Sequence, residues 1–331
     1  MNRFAVVIPY FGMLKPSASL FLESCNRNLD VDFLFFTDCV IPEGIKLNSN
    51  IHWHSTTLEA IRILAEEKLK MKIALDRPYK LCDLRAFYGV VFEDYLQGYE
   101  YWGYGDTDVV LGRIVHFLED IDYSQYDKIH RLGHLCFMRN TKRCNRIAFG
   151  TEDNKRLAEH VLQSETNKAF DERTFNTVCE KGKLKIYHKK WAADIDIFYW
   201  RMRCADKKSF HLLLNMKDIP WAPKNYAKQM FAVIEGVTYR VYLKQGKVYL
   251  EEFAYIHFRK EVPIKFEDMR ADTYVVTRDG FEKIDVGKDT FKEYNAVLGM
   301  INQYNNQETP LQEAWGFLVQ WYRKVSGKRG W

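Results

Sequence analysis

The 331-residue chain has no apolar run approaching the ~20 residues that a membrane span requires, and Phe4–Pro9 is too short for a signal-peptide core of about 7–15 residues. The protein is therefore expected to stay in the compartment where it is made. Its seven cysteines (25, 39, 82, 136, 144, 179 and 204) stand singly, and no C-x-x-C pair offers a structural zinc site or a redox motif, which points to reduced cytosol. Neither G-x-G-x-x-G nor G-x-x-x-x-G-K-[ST] follows a strand, because Gly103-Tyr-Gly105 runs straight into Asp106. NAD-dependent and P-loop enzymes are disfavoured accordingly. Internal repeats and low-complexity tracts are also lacking. The excess of basic over acidic residues, 49 against 44, is too small to argue for nucleic acid, although it suits anionic small molecules or an anionic membrane surface.

What is present is a core. Hydrophobic residues make up 47% and aromatic residues 15%, which excludes a wholly disordered, collagen-like or disulfide-scaffold chain. The length suits about two domains, or one large α/β unit with an appendage. Phe4–Pro9 and Val31–Thr37 read as buried parallel strands with a short crossover helix around Leu20, Phe21 and Ser24, the β-α-β rhythm of a doubly wound sheet. Ile51–His54 reads as a third strand. Thr56 with Glu59 forms a capping-box signature for a helix carrying Leu58, Ile61, Leu64, Ala65 and Leu69. Leu81, Leu84, Tyr88, Val91, Phe92 and Tyr95 predict one helix with a buried face. Further helices are predicted over 152–164 and 172–180, and short strands over 184–187 and 195–199. Val237–Leu243 and Lys247–Phe253, joined across Gln245-Gly246, predict a β-hairpin. From about Pro263 a more polar extension ends in a helix with Leu311, Ala314, Trp315, Leu318, Tyr322 and Val325 on one face.

Asp106-Thr107-Asp108 is the sharpest chemical feature. Two carboxylates at i and i+2 of extended backbone project to one side and repel unless a cation or solvent compensates them, a solvated turn being the plainer reading. A divalent metal resolves that, and such a metal bridges the phosphates of a nucleotide. Gly103 and Gly105 just before the pair permit close backbone approach.

The ordered set Val6-Val-Ile-Pro-Tyr10, Phe35-Phe-Thr-Asp38, Lys80-Leu-Cys-Asp83-Leu-Arg85 and Gly105-Asp-Thr-Asp108 resembles the nucleotide-sugar half of GT-A glycosyltransferases, and is similar to bacterial capsule and lipopolysaccharide transferases of that fold. The resemblance implies an α/β, Rossmann-like, mixed and mostly parallel sheet flanked by helices, with a C-terminal helical extension. It places a catalytic domain at 1–262, divided into a nucleotide-sugar half (1–112) and an acceptor half (113–262), ahead of an extension at 263–331.

Residue by residue, it implies that Pro9, Tyr10, Phe11 and Asp38 hold base and ribose, that Lys80, Asp83 and Arg85 point to the donor, and that Asp106, Thr107 and Asp108 meet the metal diphosphate. His257 completes the metal shell, and Lys260 or Arg259 neutralises the leaving diphosphate. Imidazole beside carboxylates favours Mn²⁺ over Mg²⁺. Asp171 or Glu172 acts as general base or orients the acceptor, with helix capping by Asp171 as the plainer reading. Arg131, Gly133 and His134 touch the acceptor or the donor sugar, and Trp191, Asp194 and Asp196 line the acceptor side.

The implied activity is metal-dependent transfer of a sugar, in the hexosyltransferase class, from a nucleotide diphosphate sugar (a UDP-sugar is favoured) to a hydroxyl of a surface glycan or lipid-linked acceptor. Its setting is cytoplasmic. Peripheral contact with the inner face of the membrane would run through Trp315, Trp321 and Tyr322 and the cations Arg323, Lys324, Lys328 and Arg329; packing of that helix on the catalytic domain is the competing expectation. The rival readings are a sugar nucleotidyltransferase and a catalytically silent glycan-binding protein of the same fold.

Overall fold

A computed structural model describes residues 2–189, 192–196, 199, 201–205, 224–258, 262–305, 311, 312, 315, 316, 318, 319 and 322. Trp191, Arg259, Lys260, Ala314, Trp321, Val325 and the cations at 323, 324, 328 and 329 lie outside them. The chain divides into two compact units, one of Met1–Leu14, Asn28–Asp106 and Leu118–His188, the other of Lys15–Arg27, Thr107–Phe117 and Lys189–Trp331.

In the first unit, strands β1 (Phe4–Tyr10), β2 (Val31–Thr37) and β3 (Ile51–Ser55) are parallel neighbours. Parallel strands covered on both faces carry near-continuous apolar runs, as Phe4–Ile8 does and as Val31–Phe36 does but for Asp32, and both stretches are buried. β4 (Tyr101–Gly105) pairs in parallel with the other side of β1, and β6 (Lys128–Ile129), β7 (Leu135–Arg139) and β8 (Ile186–Tyr187) complete a seven-stranded sheet in the order β3-β2-β1-β4-β7-β6-β8. The β4–β7 and β6–β7 pairs are antiparallel, which makes the sheet mixed but rich in parallel pairs. Pairing of β1 with β4 stops at Val7, two residues before Pro9, which has no N–H to give. Gly103 answers to close packing: a Cβ there would meet the Cys136 carbonyl oxygen at 2.5 Å.

Several expectations need correction. Helix α2 (Leu58–Leu69) is capped by Thr57, whose hydroxyl accepts from Ala60 N, and not by Thr56. The stripe over 81–95 is no single helix. It breaks into a turn at Pro78–Lys80, helical turns at Leu81–Leu84 and Tyr88–Val91, and a tighter 3₁₀ turn at Arg85–Phe87 between them. Leu81, Leu84, Tyr88, Val91 and Phe92 are buried as the spacing requires, while Tyr95 is exposed. The predicted 195–199 strand is displaced to Ala192–Asp194, with Ile195 only in an isolated bridge to Cys204; 197 and 198 lie outside the described residues.

The second unit contains α1 (Ala18–Arg27), which follows β1 in the chain, and two small sheets. β5 (Val109–Leu111), β13 (Tyr255–His257) and β9 (Ala192–Asp194) form one, in the order β5-β13-β9. β10 (Gln229–Ile234), β11 (Val237–Lys244), β12 (Lys247–Glu252), β14 (Tyr274–Thr277) and β15 (Gly280–Lys283) form the other, in the order β12-β11-β10-β14-β15. The expected hairpin is β11–β12, turning where Gln245 and Gly246 both take positive φ. Leu311, Trp315, Leu318 and Tyr322 are exposed. Among the described residues no helix is long and apolar enough to cross a membrane.

Candidate functional site

Strand order in the first unit reverses between β1 and β4, since β2 and β3 lie to one side of β1 and β4 to the other. The carboxyl ends of strands at such a reversal form the crevice where open α/β sheets take ligands. β1 ends there in Pro9-Tyr10 and β4 in Gly105 followed by Asp106. After β2, Asp38 Oδ1 accepts from Gly12 N at 2.9 Å and so ties the two loops together. Tyr10 is half-buried and its hydroxyl donates to Met13 O at 3.0 Å, whereas Phe11 is buried in the core of this unit.

Beside that end of β4, Arg85 is the organising cation. Its guanidinium donates to Asp106, to Asp171 Oδ2 at 2.9 Å and to the carbonyl of Gly133 at 3.2 Å. The backbone accommodates it closely, because a Cβ on Gly133 would lie 2.6 Å from Asp171 Oδ2. The Asp106 amide donates to His134 O, and His134 itself is buried. Asp171 is therefore not the N-cap. Ala169 takes that place at φ +48°, and the helix opens as a wide π-turn over Phe170–Thr174 that faces Asp171 to Arg85. Glu172 is half-buried. Arg131 pairs with Glu180, and its carbonyl accepts from Asn176 Nδ2 at 2.8 Å.

Lys80 and Asp83 are brought together but face inward. Lys80 Nζ donates to Asp83 Oδ2 at 2.7 Å, Val161 O at 2.8 Å and Thr166 O at 3.2 Å, and Asp83 accepts from the amides of Lys168 and Phe170. All three ammonium protons are thus engaged in bracing the loop that leads to Asp171.

Burial raises the Asp171 carboxyl from 3.8 to about 6, against the pull of Arg85, whose charge is shared with Asp106. The folded chain then holds this proton more tightly than the unfolded chain does. The resulting stabilisation is complete below pH 3.8 and is lost as the pH rises through about 6. Denaturant titrations from about pH 4 to about pH 7 should show wild type losing stability relative to Asp171→Asn, by at most about 3 kcal/mol. Parallel curves would mean that burial does not act on this carboxyl.

The second unit holds the other half of the D-x-D motif. β13 and β9 run in parallel with His257 opposite Asp194, and His257 Nδ1 lies 2.8 Å from Asp194 Oδ1. A carboxylate can only accept, so Nδ1 carries the proton and Nε2 is left on the side of Asp108, 3.4 Å from its Oδ1. Burial disfavours the imidazolium, but Asp108 and Asp194 together push His257 up to about 10, and His257 in turn holds Asp108 below its usual value despite burial. An imidazole whose far nitrogen is fixed by a buried carboxylate, with its near nitrogen facing a second carboxylate, offers donors able to hold a divalent cation. The residues fit such an ion, which would take the place of the Nε2 proton.

Asp194, read from sequence as an acceptor contact, is thus the residue that orients His257. Its pairing with a strand 63 residues away leaves no local signal. Thr107 is half-buried between the two aspartates, and Asp196 is buried.

The model of DUF6625, a family of unknown function, matches residues 6–285. No curated protein matches the chain in sequence. Among solved structures, mouse xyloside xylosyltransferase 1 in its apo form is similar over 57% of this chain and 86% of its own, at 8% identity and a TM-score of 0.35. The galactosyltransferase LgtC, in complex with donor and acceptor sugar analogues, is similar over 94% of this chain and 99% of its own, at 9% identity and a TM-score of 0.38. An active-site mutant of LgtC covers the same shares at 8% identity and a TM-score of 0.38. Likeness at this level does not assign an activity.

Proposed function

The chain belongs to DUF6625, and we propose that it is a metal-dependent glycosyltransferase that moves a sugar from a nucleoside diphosphate sugar to a hydroxyl acceptor. The observation that carries this reading is the D-x-D motif leaving β4 at the reversal of strand order, with Asp108 facing an imidazole that Asp194 fixes from behind. We assign the ion, Mn²⁺ before Mg²⁺, to Asp108 and His257, with Asp106 two residues earlier in the chain. When bound, a divalent cation supplies positive charge where the departing diphosphate develops negative charge.

The chain's own residues do the rest. Tyr10 offers an aromatic face to the base, and Asp38 accepts from ribose hydroxyls while holding Gly12 in place. Arg85 keeps Asp106 and Asp171 in fixed positions. As the acceptor oxygen bonds to the anomeric carbon and the bond to phosphate breaks, the acceptor proton passes to Asp171 or Glu172. Arg131, His134 and, outside the described residues, Trp191 are assigned to the acceptor, and Lys260 to the donor phosphates. A surface glycan or lipid-linked acceptor and peripheral membrane contact belong to the same proposal.

The test is to incubate the protein with UDP-, GDP- and CMP-sugars and Mn²⁺ and to measure nucleotide release. Release of one nucleoside diphosphate, abolished by EDTA, is expected. Release of pyrophosphate from a nucleoside triphosphate and a sugar phosphate would replace this reading with nucleotidyl transfer, and absence of any turnover or nucleotide binding would leave a silent glycan-binding protein.

A further inference from the structure

The five-stranded sheet of the second unit treats its two edges differently. The outer side of β15 is covered: Ile264 bridges to Phe281, Phe281 N donates to Pro263 O, and Lys265 N donates to Phe281 O. β12 is the other edge, six residues long, and among the described residues no strand pairs with its outer side. Leu243 N donates to Lys228 O toward β10, and Phe253 N donates to Thr238 O from the β12 side, so odd-numbered residues of β11 bond to β10 and even-numbered ones to β12. Lys247, Tyr249 and Glu251 consequently bond to β11. The backbone groups of Val248, Leu250 and Glu252 point outward and meet no partner among the described residues. Such a row is a template for another strand, and neither a proline nor a bulge blunts it, since β12 pairs with β11 without a break over all its residues.

The side chains of β12 select the strand that fits. On one face Tyr226, Tyr242 and Tyr249 form a column of rings, with centroids 3.8 Å and 5.1 Å apart and planes within 7° and 12° of parallel, and the column reaches the edge at the half-buried Tyr249. On the same face Glu251 accepts from Arg240, while Lys247 is exposed and makes no ion pair among the described residues. On the opposite face Val248 and Leu250 pack against an apolar core.

We propose that β12 is a self-association edge, where two copies of this chain pair β12 with β12 in antiparallel fashion about a two-fold axis at Tyr249 and join their five-stranded sheets into one. This register unites the outward backbone groups of both copies and sets Lys247 opposite Glu251 of the second copy, and Val248 opposite Leu250 of the second copy. Each of these pairs occurs twice, as two-fold symmetry requires. Tyr249 meets its own counterpart in a non-hydrogen-bonded pair, where side chains approach most closely, so the two columns of tyrosines become continuous. Moving the axis to Val248 or to Leu250 also unites the outward groups, but it turns Lys247 onto Tyr249 or Phe253 of the second copy and loses the charge pairs. The proposal does not depend on the glycosyltransferase reading.

The experiment is sedimentation equilibrium of the full chain, as wild type and as Lys247→Glu, over the micromolar range, together with disulfide trapping of Tyr249→Cys and Lys244→Cys by copper phenanthroline in air. Wild type should dimerise reversibly. Lys247→Glu makes both charge pairs between the copies repulsive and should weaken the dimer about tenfold or more. Lys247 lies opposite Lys244 in the hairpin, so the same substitution relieves a like-charge pair within each copy and leaves its fold intact. Tyr249→Cys should form a disulfide-linked dimer, because a non-hydrogen-bonded pair holds its Cα atoms about 4.5 Å apart, within disulfide reach. Lys244→Cys, though more exposed, and wild type with its seven native cysteines should stay unlinked. A wild type that is monomeric at every concentration would overturn the inference. So would a dimer that Lys247→Glu leaves at wild-type strength, or trapping of Lys244→Cys in place of Tyr249→Cys, since either would put the contact elsewhere.

Discussion

Asp108→Asn is expected to abolish metal-dependent donor binding and to slow nucleotide release by about 10³-fold or more, the equivalent of about 4 kcal/mol of transition-state stabilisation. The amide keeps the size of the carboxylate and removes the charge that faces His257 Nε2. Asp194 still holds Nδ1, so the imidazole stays in place and only its second partner is lost. Because Asp108 is partly exposed, with 23% of its side chain accessible, the thermal midpoint should move by no more than a few degrees. Manganese titration, nucleotide release and a melting curve on the same preparation check all three statements. A variant that turns over at the wild-type rate would remove Asp108 from the site.

Arg85→Met is expected to be the more damaging substitution for folding. Arg85 keeps only 13% of its side chain accessible and satisfies two carboxylates and a carbonyl at once, with Asp171 on one side and Asp106 on the other. Removing one partner of a buried charge cluster leaves the others uncompensated and costs about 3–5 kcal/mol. Part of the loss should return below pH 6, where Asp171 takes up its proton. The double variant Arg85→Met/Asp171→Asn should recover part of it at neutral pH, and urea titration of the single and double variants measures that coupling. A loss under about 1 kcal/mol would mean that both carboxylates are already solvated without Arg85.

Much of the architecture could be read along the chain because the relevant interactions are local. β1 and β2 announce themselves as near-continuous apolar runs, interrupted in β2 only by Asp32, because both faces of a central parallel strand are covered, and the β11–β12 turn does so through Gln245-Gly246. The D-x-D motif stood out because two carboxylates on one side of an extended segment need compensation.

What stayed hidden depends on partners distant in sequence. The 81–95 stripe has the right burial for a helix, yet the chain tightens at Arg85–Phe87, where Arg85 reaches an acid 86 residues away. The same contact takes Asp171 from capping to ion pairing. Thr56 and Thr57 offer the same hydroxyl one residue apart, and composition does not say which of them takes the extended conformation of the cap. Lys80 and Asp83 look like a surface pair at i and i+3, and only the docking of residues 161–170 buries them.

The three-stranded sheet has a consequence for how the molecule tolerates change in length as opposed to change in composition. His257 meets Asp194 only because β13 and β9 keep one register, and β13 begins three residues after β12 ends at Glu252. Inserting one residue at Phe253 or Ala254 would send alternate side chains to the opposite face, turning the imidazole away from Asp194 and bringing Ile256 out of the core. An insertion of the same size at the exposed Gln245-Gly246 turn disturbs no residue of the cluster. Variation in this protein is therefore expected to spare the spacing between β12 and β13 more strictly than the identity of the residues that fill it, and to accumulate at the hairpin tip.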